Sequence, residues 1–90
     1  RDMYSAFLLM CANNTLDKTL NVTMIVVANP LGDYTEVIAK GLDYAEVTKG
    51  NYDEITVPAL DLGDYDGEFE TRVFLWDGAT LTPYTDVAAY

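Results

Sequence analysis

The sequence predicts an all-β chain, folded as an antiparallel sandwich of about seven strands, and three observations predict it. Apolar and polar residues alternate with a period of two in several segments, most clearly Leu20 to Ala28 and Glu68 to Trp76. Glycines at 32, 41, 50, 63, 67 and 78 punctuate the chain at strand-length intervals. No stretch carries the 3.6-residue apolar period of an amphipathic helix.

Residues Met3 to Ala12 form ten residues without Gly, Pro or charge. Such a run suits a strand or a buried helix, and the β-branched, alternating segment that follows it favours a strand. In that segment Leu20, Val22, Met24, Val26 and Ala28 share one face, with Asn21, Thr23, Ile25 and Val27 on the other. These two strands are expected to be neighbours joined through an Asp17-Lys18 turn. Asn29 to Asp33 is dense in turn formers, and Gly32-Asp33 is expected to return the chain as a hairpin strand over Tyr34 to Lys40. Lys40-Gly41 then breaks the chain, and Leu42 to Thr48 follows as a half-polar edge strand whose Asp43 and Glu46 discourage pairing with another molecule.

After Lys49-Gly50-Asn51, the segment Tyr52 to Leu62 points Ile55 and Val57 inward, and its parity changes at Pro58, which cannot donate to a ladder. Asp61 to Gly67 is a polar loop. It leads into the stretch about which the chain is organised, Glu68 to Pro83, a central strand stopped by Asp77-Gly78. Phe69, Thr71, Val73 and Leu75 form its core face; Glu68, Glu70, Arg72, Phe74 and Trp76 form a second face that starts polar and ends aromatic. A last strand is expected to end near Val87.

Composition bounds the function. Ninety residues, 50% hydrophobic and 22% charged, make one globular domain with a modest core. Fifteen acidic against five scattered basic residues give a net charge of -10, which disfavours nucleic acid and anionic lipid as partners. No run of about 18 apolar residues exists to insert in a membrane as a helix. The chain starts at Arg1 with a strand-like segment and no visible signal peptide, so it is read as one domain of a longer multimodular protein. Cys11 is the single cysteine; it lies in an apolar run, where a buried, inert thiol is expected. Asn13-Asn14-Thr15 and Asn21-Val22-Thr23 fit the glycosylation sequon, a pattern frequent by chance.

The chain has no histidine, which removes Ser-His and Cys-His nucleophilic catalysis and most zinc and copper sites. A glycosidase pair would need two carboxylates at a set separation in a cleft, so the fifteen carboxylates are read as solvated faces and turns, and the chain as not an enzyme. No cofactor is expected, with calcium the one candidate. Asp61, Asp64 and Asp66 are its candidate ligands, although the EF-hand pattern is absent because Leu62 and Val73 stand at ligand positions. The alternative is that these residues are ordinary turn formers.

The aromatic residues, seven Tyr, three Phe and one Trp, suit stacking on sugar rings. Trp76 and Phe74 with Arg72, and Tyr84 from the return, are the candidate ligand-binding residues; the alternative is that Trp76 packs under the Pro83-Tyr84 return.

Phe74-Leu75-Trp76-Asp77, followed by Leu81 and Pro83, resembles the closing strands of the immunoglobulin/fibronectin type III-like β-sandwich modules of multimodular surface and secreted proteins of clostridia and related Firmicutes. Asn13 to Thr15, Val22 to Ala28, Gly32-Asp33, Val37-Ile38, Lys49-Gly50 and Ile55-Thr56-Val57 extend the resemblance over roughly residues 3 to 87. Asn29 to Gly32 and Tyr84 depart from the pattern, where a Tyr-Asp pair and an aliphatic residue are usual. The resemblance implies a secreted or cell-surface, non-catalytic accessory module that spaces, stabilises or presents neighbouring domains of its parent protein. Two other readings stand beside it: a carbohydrate-binding module that takes a polysaccharide on the exposed aromatics, and a protein-interaction or adhesin-like module that pairs through a free strand edge.

Overall fold

A computed structural model describes residues 7 to 13 and 17 to 90. The described chain is built of antiparallel strands: β1 (Phe7–Asn13), β2 (Leu20–Pro30), β3 (Ala39–Val47), β4 (Asn51–Val57), β5 (Phe69–Asp77), β6 (Thr82–Pro83) and β7 (Ala88–Ala89). They form two sheets. One holds β1 and β4; the other runs β3-β2-β5-β6, with β7 also pairing β5.

Strand β2 lies inside the larger sheet, paired with β3 along one edge and with β5 along the other. Val22, Met24, Val26 and Ala28 are buried between the sheets, facing Ile55 and Val57 of β4, and Ala45 and Val47 of β3 join the same layer. Its neighbours are set by register: Val26 stands opposite Gly41 of β3 on one side and Val73 of β5 on the other. Gly41 permits a close approach of the sheets, since a Cβ there would lie 2.7 Å from Cγ1 of the buried Val57. Leu60 and Leu62, beyond Pro58, close one end of the core.

Four features differ from the expectations. β1 does not pair with β2; it pairs with β4, Leu9 opposite Ile55, so the chain changes sheets between β1 and β2. The physical reason is burial parity: β1 and β2 each have one strongly apolar inner face, and stacking these faces across the sandwich buries both. The turn at Gly32 does form, with the Asp33 amide bonded to the Pro30 carbonyl and φ of +82° at Gly32, but no strand follows at Tyr34. Residues 31 to 38 are a loop, and the break expected at Gly41 is absent, β3 running unbroken through it. The last strand is Ala88–Ala89 rather than one ending at Val87. Met3 to Ala6 and the Asn14-Thr15 break lie outside the described residues.

The sheet change between β3 and β4 is a tight turn at Thr48 to Asn51, whose backbone closes from the Asn51 amide to the Thr48 carbonyl. Gly50 supplies the φ of +83° that this turn requires. Asn13 ties β1 to this corner. Its buried side chain donates to the carbonyls of Lys18 and Val47, so in the folded chain that sequon asparagine is not available to a glycan.

Candidate functional site

The outer side of the larger sheet carries a second, partly apolar layer built from alternate residues of β2, β3 and β5. The ladder arranges it in rows. Tyr44, Thr23, Trp76 and Pro83 form one; Leu42, Ile25 and Phe74 form the next; Lys40, Val27 and Arg72 form the third. Side chains directly opposite one another lie on the same face, so these rows are contiguous. Leu42 and Tyr44 are 63% and 64% exposed, and Ile25, Phe74 and Trp76 are half-buried. Tyr44 and Trp76 flank Thr23 at two strand spacings, roughly 10 Å apart.

Arg72 is fixed within this layer. Its Nε donates to Oδ1 of Asn29 at 3.0 Å, and its guanidinium lies 4.1 Å from the centre of the Tyr34 ring and 5.3 Å from that of Phe74. Stacking of a cation on two ring faces contributes about 0.5–1 kcal/mol per contact at an exposed site. Tyr34 reaches it from the β2–β3 loop and donates its hydroxyl to Oε1 of Glu70, which holds the tyrosine above its ordinary ionisation range. Asn29 is fully buried beneath that loop; its Nδ2 donates to the Glu36 carbonyl at 2.7 Å. The loop is thus clamped onto one end of the face, leaving Phe74, Trp76, Leu42 and Tyr44 as the open part.

The sequence therefore placed Arg72, Phe74 and Trp76 on one surface, and the structure brings Arg72 and Phe74 into contact with Trp76 next along the strand. Tyr84 is not with them. Its hydroxyl donates to the Asn21 carbonyl at 3.0 Å, and its ring lines a recess of about 470 Å³ with Lys18, Thr19, Asp77 and Thr80 at one end of the sandwich. Burial, then the nearby Asp77 charge, raise its ionisation range. Trp76 stands opposite Pro83 in the ladder and is half-buried.

The sequence marks Tyr34 and Tyr44 only as half-exposed tyrosines near strand starts and turns, and assigns neither of them, nor Leu42, to the site. The signal was present at Leu42 and Tyr44: along β3 the small or inward residues Gly41, Ala45 and Val47 alternate with these two large ones. What placed them beside Trp76 was the register, which no local pattern carries.

The acidic loop residues stay apart. Asp61 accepts the Gly63 amide at 2.8 Å, the Tyr65 amide bonds to the Leu62 carbonyl, and Tyr65 donates to the Glu68 carbonyl at 2.7 Å. Asp64 and Asp66 are exposed, and among the described residues no three His, Cys, Asp or Glu side chains gather to hold a metal ion. Cys11 is buried and unbonded to another cysteine; desolvation, then the charge of Asp53 opposite, raise its thiol above the usual range. Among the described residues no helix is long and apolar enough to cross a membrane.

No family model matches the chain, and no curated protein and no solved structure matches it either.

Proposed function

We propose that the chain is a non-catalytic, immunoglobulin/fibronectin-like accessory module of an extracellular multimodular bacterial protein, in which it holds or presents neighbouring domains. The observation that carries this reading is the strand order. If β1 is taken as strand B of such a sandwich, then β2, β3, β4 and β5 fall in sequence as C, C′, E and F, and β6 with β7 as G. The pairing of B with E, against a sheet ordered C′-C-F-G, is the arrangement that fold uses, and β1-β4 against β3-β2-β5-β6 agrees with it. The apolar outer face of β3, β2 and β5 supplies a surface for a neighbouring domain, since contiguous exposed apolar area marks interaction sites.

A second reading, carbohydrate binding, is favoured by one specific observation: two large rings, Tyr44 and Trp76, stand on either side of Thr23 on an open face. Consecutive sugar rings of an extended polysaccharide could lie across them, with Phe74 as a further stacking surface and with calcium as the one candidate ion. Electrophoresis in native gels that contain soluble polysaccharides, with and without calcium, separates the two. The accessory reading expects unchanged mobility throughout. Retardation by one polysaccharide that is lost in Trp76→Ala and Tyr44→Ala overturns it and identifies a carbohydrate-binding module.

A further inference from the structure

The two sheets of the described residues have four edges, and three are protected. β3 carries Lys40 and Glu46, and the far side of β5 is covered by the short strands β6 and β7. On the outer edge of β4, Oδ2 of Asp43 accepts the Thr56 amide at 3.1 Å, and Pro58 ends the strand. The edge of β1 has no such device. Its seven residues, FLLMCAN, contain no charge, proline or glycine, and among the described residues no strand lies beside it.

The Asp43 contact also fixes which β1 groups face outward. Since the Thr56 amide points away from β1, its opposite residue Leu8 forms a non-hydrogen-bonded pair, and the pattern alternates along the ladder. Leu8, Met10 and Ala12 therefore direct their N–H and C=O groups to the open edge. Leu8 and Met10 are also 68% and 53% exposed. Beside this edge, between β1 and the β5-β7 pair, lies an apolar groove of about 160 Å³ that includes Leu9, Met24, Val73, Leu75, Ala88 and Tyr90. A strand laid along β1 would place every second side chain into that groove, because side chains alternate across a strand.

Charge indicates the occupant. Glu54 stands opposite Met10 and Asp53 opposite Cys11, Asp86 precedes β7, and the chain carries a net charge of -10. A second copy would be repelled, whereas a cationic strand would be attracted. We infer that the open edge of β1 accepts a strand from another protein, an extended cationic segment with an apolar residue at every second position, by β-strand addition. This inference stands independently of what the outer face of β3, β2 and β5 contacts.

The test uses a capped nine-residue peptide of alternating lysine and valine, the same peptide N-methylated at every second residue so that it cannot donate to β1, and a glutamate-valine counterpart. Amide hydrogen exchange is followed by NMR on the whole chain. The lysine-valine peptide is expected to slow exchange at Leu8, Met10 and Ala12 by about tenfold or more while the other two peptides leave it unchanged. Met10→Pro, which removes an outward N–H, is expected to bind the lysine-valine peptide at least about tenfold more weakly. Where that variant loses its fold, the N-methylated peptide asks the same question from the ligand side. Equal protection by the N-methylated or glutamate peptide overturns the inference, as does no protection at millimolar peptide. Slow exchange at these amides that grows with protein concentration alone overturns the assigned occupant in favour of a second copy.

Discussion

Replacing Gly41 with alanine tests how the two sheets meet. Gly→Ala in an extended segment ordinarily stabilises by about 0.4–1 kcal/mol, because the unfolded chain loses freedom. Gly41 is not among the glycines with positive φ, so its backbone sets no penalty of its own. The packing does. The new Cβ would lie 2.7 Å from Val57 Cγ1 and 3.4 Å from Leu60 Cδ2, and both residues are buried, Val57 completely. Val57 has no solvent side to move toward, and overpacking of this kind costs about 1–3 kcal/mol. The steric cost exceeds the entropic gain, for a net loss of about 0.5–2 kcal/mol, or roughly 3–15 °C in Tm for a domain of this size. Val57→Ala alone removes two buried methyl groups and is expected to cost about 2–3 kcal/mol. In the double variant the alanine Cβ occupies part of the space that Val57 vacates, so the double should be less destabilised than the sum by about 1 kcal/mol. Thermal and urea unfolding of the four proteins gives the cycle. A Gly41→Ala variant as stable as the parent, or a strictly additive double, would refute the close approach of β3 to β4.

Thr71 is fully buried in β5, and its Oγ1 has no hydrogen-bond partner among the described residues, so Thr71→Val, of the same shape, should raise stability by about 1 kcal/mol in urea unfolding. Asn29→Ala should lower it by about 1–3 kcal/mol, since the Glu36 carbonyl loses its donor under the loop; limited proteolysis should then cut within residues 31 to 38. Asp77 accepts the amides of Ala79 and Thr80, which hold its carboxyl below the ordinary value of 3.8. A depressed folded-state value means that its contribution is complete above that ordinary value and lost as pH falls through the folded one. The Tm of the parent should therefore exceed that of Asp77→Asn at neutral pH, and the gap should close in acid below about pH 4.

Much of the fold was legible because burial has a period. The inner faces of β2 and β5 could be read directly from Val22, Met24, Val26 and Ala28, and from Phe69, Thr71, Val73 and Leu75. Pairing was not legible. The apolar alternation of β1 suits β2 or β4 as a neighbour equally well, and only three-dimensional closure of the sandwich selects β4. The Gly32-Asp33 turn predicts a return strand over Tyr34 to Lys40, yet Asn29 and Tyr34 make tertiary contacts that hold residues 31 to 38 as a clamp, and β3 starts only at Ala39. The candidate site was half visible. Arg72, Phe74 and Trp76 share a strand and so a face, whereas Tyr34, Leu42 and Tyr44 join them through register and loop packing across 30 or so residues of sequence.

Trp76 belongs to the outer layer of the larger sheet, which under the proposed accessory role meets a neighbouring domain rather than a glycan. Its fluorescence is the sole indole signal in the chain, so acrylamide quenching reports on that position alone. An indole flanked by Thr23 and Pro83 and half-covered should be quenched to an intermediate degree, with an emission maximum unmoved by any soluble polysaccharide. A deep-blue emission that acrylamide cannot reach would contradict the outer layer itself, and a saturable shift with one polysaccharide would contradict the accessory role.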